Sequence, residues 1–226
     1  RYGTVTGVQT CALPISQISS LTTTQIAGLA TTQISGLSAT DLNELADTQI
    51  ASLSATQIGS LSATNFSALD ATQVGGFSTT QVSGLSTTIM RGLNETDVAE
   101  FSTTQLGALN ATQIGALTST AFSALDGTQV ASLSTTQLKG LTTTQVGGLT
   151  TTDISEFTST QVGNLSTTQL GALSTTNINT FDTTQLGGLT STQLGKLSAT
   201  NLGALDSTDR KSTRLNSSRS SVSRMP

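Results

Sequence analysis

Large apolar side chains recur along this chain at alternating gaps of three and five residues, as in Ile26, Leu29, Ile34, Leu37, Leu42 and Leu45. The two gaps sum to eight, and from Thr22 to Leu205 the chain divides without insertion into 23 octads. Within each octad the third residue is Thr, the fifth is a large apolar residue and the eighth is Leu or Phe. The first is Ser, Thr, Asp or Asn in every octad except those opening on Ala30 and Ala46. That is the set of helix N-cap residues, whose side-chain oxygens accept from free first-turn amides. Gln follows three residues later in most octads, completing a capping box such as Thr22 with Gln25. The apolar residue before the cap pairs with the one at the fourth helical position, as Leu21 does with Ile26, in the manner of a hydrophobic staple. Glycines cluster at positions six and seven, where they fit a helix stop.

Each octad therefore predicts one very short capped helix, and the array predicts an all-α solenoid or superhelix. One continuous helix is disfavoured, because an eight-residue period makes the apolar stripe drift by about 80° per octad. Thr and Gly are also poor in helix interiors. A β-solenoid is the alternative. Thr, Ile and Val favour strands, and a period of eight keeps the in/out parity of a pleat. Leu at position eight breaks that alternation, and strands do not explain the restriction at position one. No octad can fold alone: burying two large apolar side chains falls short of the entropy of ordering eight residues. Stability has to come from stacked neighbours.

The ends do not share the pattern. Residues 209–218, Asp-Arg-Lys-Ser-Thr-Arg-Leu-Asn-Ser-Ser, can be encoded by GAT CGG AAG AGC ACA CGT CTG AAC TCC AGT. The reverse complement of that string reads Thr6-Gly7-Val8-Gln9-Thr10-Cys11-Ala12-Leu13-Pro14-Ile15. Ten codons match antiparallel, and the string is similar to a widely used sequencing adapter. Residues 1–15 and 209–226 are therefore expected to be adapter read-through around an octapeptide-repeat domain at 16–208. The only Cys, both Pro and six of the nine basic residues lie in those flanks. From Thr22 through Leu205, Arg91, Lys139 and Lys196 stand against eleven acidic residues, a net charge of −8, which argues against a nucleic-acid partner. No apolar run is long enough to span a membrane.

A longer period lies above the octad. Seven octads form a 56-residue block, repeated at 38–93, 94–149 and 150–205. Each block opens with an acidic pair: Asp41 with Glu44, Asp97 with Glu100, Asp153 with Glu156. The fourth octad replaces Gln with Asn65, Ala121 or Asn177, followed by Phe66, Phe122 or Ile178, and the fifth opens on Asp70, Asp126 or Asp182.

The acidic pairs invite a calcium reading, but calcium takes six to eight oxygens, and two carboxylates without a ligand loop fall short. Asp in a first helical turn is explained by the positive helix N-terminus. Paired carboxylates also suggest glycosidase chemistry, yet they recur in every block and sugar-stacking aromatics are lacking. The array has neither His nor Cys, so the usual general base, thiol nucleophile and transition-metal ligands are missing. No catalytic, cofactor-binding or metal residue is assigned, no cofactor is expected, and an enzyme is disfavoured. Regular Thr rows on a flat β face would suit ice binding. Asn65, Asn94, Asn110 and Asn164 each open an N-glycosylation tripeptide, a pattern that arises by chance in so Ser- and Thr-rich a chain.

The octads Leu-[Ser/Thr]-x-Thr-Gln-[Ile/Val/Leu]-x-x-Leu resemble long Thr-Gln repeat tracts in large bacterial surface and secreted proteins of the adhesin type. The resemblance covers nearly the whole array and transfers no functional residue. It implies a structural or adhesive stalk at an extracellular or cell-surface location. The alternative is a scaffold that holds a protein or peptide along a concave surface. Such surfaces display aromatic, Arg or Met anchors, whereas the variable positions here are mostly Ser, Ala, Gly and Thr.

Overall fold

The computed structural model describes residues 18–203 and 205; the flanks 1–15 and 209–226 lie outside these. Among the described residues there are twenty-two α-helices of four to six residues, one per octad, from α1 (Thr23–Ala27) to α22 (Ser191–Leu194), and a further helical turn at 199–203. No residue there is in a strand, so the β-solenoid alternative fails. The cap residues decide this. Thr22, Ser54 and Ser102 sit in extended backbone, with φ of −71°, −70° and −68°, and each side chain accepts from the amide three residues on. That amide is thereby committed to starting a helix rather than to a strand ladder. The ice-binding reading, which needed Thr on flat strands, loses its support with it.

Inside an octad the apolar residue at position five and the Leu or Phe at position eight both face the core. Ile58 and Leu61 are typical, and Val82 with Leu85, or Leu170 with Leu173, repeat the pattern. The Leu61 amide donates to the Ile58 carbonyl at 3.1 Å, closing the last turn. In many octads the position-eight residue is extended, as at Leu109 with φ −70° and ψ 141°, and the following cap is extended too. Two extended residues in succession turn the chain away from the helix axis and into the next helix.

Three such corners close a coil. The well-developed helix contacts join partners three places apart, such as α5 (Ala55–Gly59) with α8 (Thr79–Ser83) and α12 (Ala111–Ala116) with α15 (Thr135–Leu138). One coil is therefore three octads, 24 residues, and coils stack with like helices side by side along three faces. The core is one continuous column from Ile18 to Leu205. Phe rings mark its long period. Phe66 and Phe101 stack at a centroid distance of 6.1 Å, and Phe122 and Phe157, each 56 residues further along, stack at 6.5 Å.

The glycines act differently from the sequence expectation. Gly28, Gly36 and Gly84 do end helices, but with φ of −82°, −86° and −81°, and no described residue has a positive φ. The left-handed cap that favours glycine is not used. What several glycines supply is space between coils: a Cβ at Gly59 would meet the backbone of Gly84, one at Gly115 the backbone of Gly140, and one at Gly163 the backbone of Gly188. Each pair joins helices three places apart, where the main chains pass too closely for a methyl group.

Candidate functional site

The chemistry with most repetition in the molecule is carried by position four. It is Gln in fifteen octads, Asp in three, Asn in three, Ile and Ala in one each, and never Glu. As a capping residue, Gln uses only its oxygen: Gln57 Oε1 accepts from the Ser54 amide at 2.7 Å. Its nitrogen points the other way, across the coil boundary. Gln57 Nε2 donates to the carbonyl oxygens of Leu29, Ala27 and Ile26 at 2.7, 3.2 and 3.3 Å. Gln137 reaches Leu106 and Leu109 at 2.7 and 2.8 Å, and Gln169 reaches Leu138 and Leu141, both at 2.8 Å. The carbonyls of Ile26, Leu106 and Leu138 lie at the end of the helix four octads earlier and also accept from the position-eight amide of their own octad. The Gln amide additionally takes the carbonyl of position eight itself, beyond the helix end. One buried amide thus satisfies a helix start and a helix end on successive coils.

The exceptions separate the two halves of that job. Asn65 and Asn177 are one methylene shorter; their Nδ2 groups still reach the Leu37 and Leu149 carbonyls at 2.6 and 2.8 Å, and their helices lack the return bond of the capping box. Asp97 and Asp153 do the reverse. They accept from the amides of Asn94 and Thr150 at 2.8 and 2.6 Å but have no donor to offer. Instead a hydroxyl comes to them from the preceding coil: Ser67 Oγ donates to Asp97 and Ser123 Oγ to Asp153, both at 2.7 Å. Asp97 and Asp153 are thereby explained as joints, each carboxylate buried and hydrogen-bonded at both ends, whereas Asp41 of the first block is half buried and accepts from Ser38 of its own octad.

Their partners in each pair are placed differently. Glu100 and Glu156 hold their protons above the ordinary value of 4.5. Burial is the first cause, and the negative charges of Asp97 and Asp70 for the one, and of Asp153 and Asp126 for the other, add to it. Glu156 Oε2 is buried without a hydrogen-bond partner. Among the described residues, no group of three or more His, Cys, Asp or Glu is placed to hold a metal ion, so the block carboxylates do not converge into a calcium cage. Nor is any described helix long and apolar enough to cross a membrane.

The remaining candidates are scattered. Asn65 is buried and bonded, while Asn94 and Asn110 are exposed caps and Asn164 Nδ2 donates to the Thr160 carbonyl at 2.9 Å. Two shallow depressions of about 320 and 410 Å³ lie between neighbouring coils, one beside Thr87, Arg91 and Gly140 and one beside Asn94, Thr96 and Thr118. Each has a single charged residue in its lining. The bridging role of Gln was not read from the octad pattern. Its signal was present in the absence of Glu at position four, since Glu would cap as well and suit the helix N-terminus better. Only a residue that must also donate explains that choice.

Compared with known proteins, residues 162–199 match the ALTTAQ repeat family, a stretch of 38 of the 226 residues that is similar to that repeat. No curated protein and no solved structure matches the chain.

Proposed function

We propose that this chain is a non-catalytic structural spacer, a rod-like repeat region of a large bacterial surface or secreted protein. The observation that carries the reading is a mismatch of two numbers. The sequence block is seven octads and the coil is three, so each block winds two full coils and one face more. Equivalent residues of successive blocks consequently point in three different directions. Asp97 and Asp153 lie on different faces, as do Phe66 and Phe122. A binding surface encoded in the block would be dealt out around the rod instead of accumulating on one side. The core and the Gln bridges are indifferent to this rotation, because every face offers the same carbonyls. Outward positions carry mainly Thr, Ser, Ala and Gly, residues without the large anchors of a recognition surface.

A rod with between seven and eight coils, at the roughly 8–10 Å of packed helices, is about 60–75 Å long. Small-angle scattering on arrays lengthened by one 56-residue block tests the reading. The maximum dimension should grow by about 19–23 Å per block at constant cross-section. A dimension that stays constant, or a cross-section that grows instead, would remove the spacer.

A further inference from the structure

Among the described residues, five exposed charged side chains make neither a hydrogen bond nor an ion pair: Asp47, Arg91, Glu95, Lys139 and Lys196. Four of them are paired by place. Arg91 and Lys139 both hold position six of their octads, and Asp47 and Glu95 both hold position two. Within each pair the members stand six octads apart, which is two coils. The cations therefore share one face, on α9 (Thr87–Gly92) and α15, with α12 between them. The anions share the next face, on α4 (Asp47–Ala51) and α10 (Glu95–Ala99), with α7 (Ala71–Gly75) between them. Because the coils are built alike, the step from Arg91 to Lys139 equals the step from Asp47 to Glu95. Duplication of the block did not set this interval. The block repeats every seven octads, and a copied Arg91 would stand at Gly147 and a copied Glu95 at Thr151. These charges keep the spacing of the coil, which only the folded chain possesses.

We propose that the face bearing Arg91 and Lys139 docks on the face bearing Asp47 and Glu95 of a second copy of this chain, side by side, forming two ion pairs at once. Charge and spacing together identify the partner: an identical rod offers two anions at the interval of the two cations. With the rods parallel, Arg91 meets Asp47 and Lys139 meets Glu95; with them antiparallel, the partners exchange. The third face does not fit, because its acidic residues Asp126, Asp153 and Glu156 stand on helices one coil apart. The surface between the two cations is low. Ala111, Gly115, Ala116 and Gly140 line the shallow depression beside Arg91, so no bulky side chain holds the rods apart there. Nor do like charges oppose the contact. Asp70, the cap of α7, faces the neutral α12 in either direction, and Asp182 in the parallel rods, or Asp41 and Glu44 in the antiparallel ones, face the neutral α16 (Thr143–Gly147). Exposed ion pairs are individually weak and screened by salt, so the contact fixes register more than it adds affinity. It is heterologous, and each copy keeps one face of either kind free for a further copy. The proposal concerns assembly and stands whether or not the rod is a spacer.

The test is sedimentation velocity on the full chain over a wide concentration range, at low and at raised salt. The expected result is a mass that rises with concentration at low salt and returns to the monomer at raised salt. Two charge exchanges keep the parent's net charge and alter only exposed residues, with circular dichroism verifying the fold. Arg91→Glu with Glu95→Arg sets like charges together in the parallel arrangement and opposite charges together in the antiparallel one. Arg91→Glu with Asp47→Arg does the reverse. One exchange should therefore abolish association and the other should retain it. A parent that is monomeric at every concentration, association indifferent to salt, or two exchanges that behave alike would overturn the proposal.

Discussion

Gln57 donates from Nε2 to the carbonyl of Leu29, 28 residues earlier, while its Oε1 accepts from the amide of Ser54 in its own octad. A carboxylate could perform the second task and not the first. Gln105, which reaches the Val74 and Phe77 carbonyls at 2.7 and 3.0 Å, is the position at which to ask this. Gln105→Glu should destabilise by about 1–3 kcal/mol, as expected when a buried hydrogen bond is replaced by an unmatched acceptor. Gln33→Glu, exposed at the first coil, should be nearly neutral. Urea unfolding monitored by circular dichroism compares the two. Equal effects would mean that the bridge contributes nothing.

Ser67 and Asp97 offer a cleaner separation of cap from bridge. Ser67→Ala removes the one donor that reaches Asp97 from the coil below and should lose about 1–3 kcal/mol. In an Asp97→Gln background the loss should shrink, because the amide no longer requires the hydroxyl. A double-mutant cycle with no coupling between the two sites would contradict the joint.

Glycine substitutions should divide by position alone. A Cβ at Gly140 would stand 2.6 Å from the backbone carbon of Ala111, so Gly140→Ala should destabilise by about 1–3 kcal/mol through overpacking. At Gly107, inside the helix Thr103–Ala108, nothing lies within 4 Å of the added methyl. Gly107→Ala should therefore stabilise, by about 0.5–1 kcal/mol from helix propensity. Paired thermal melts decide it, and the same sign at both positions would refute the assignment of close approach.

Acidification should strengthen the rod before it weakens it. Glu100 and Glu156 are pushed above 4.5 by burial and by the carboxylates beside them. The folded chain then holds protons in a window where the unfolded chain has released them, so stability falls as pH rises through the folded value and is fully present below about 4.5. The melting temperature should rise as pH is lowered from neutral towards 5. The rise should be smaller in Glu100→Gln with Glu156→Gln, which should also melt higher than the parent at neutral pH. A flat profile in the parent would exclude the effect.

The local order of this fold is written in each octad. Ser102, Gln105, Leu106 and Leu109 suffice to place a cap, a box and two core side chains. Coil size is not written there. It follows from the angle between successive helices, set by the two extended residues at each corner, and a repeat of identical octads contains no signal for which octad stacks on which. The signal that does exist sits in the exceptions. Ser67 with Asp97 and Ser123 with Asp153 are matched changes 30 residues apart, six residues beyond one coil. The glycines misled because a small residue near a helix end suits a left-handed cap and a tight crossing equally well, and only the backbone angles separate these.

The equivalence of all coils has a consequence for the gene. Because each helix finds the same kind of partner three places before and after it, recombination that adds or removes a whole number of octads yields a continuous core with the Gln bridges rejoined. Only an event that falls between matched positions such as Ser67 and Asp97 separates a joint. An out-of-step event of four residues would put polar side chains into the column and be eliminated. Length in such a tract is then a freely varying trait, adjustable in increments of one-third of a turn, while the octad itself is held fixed.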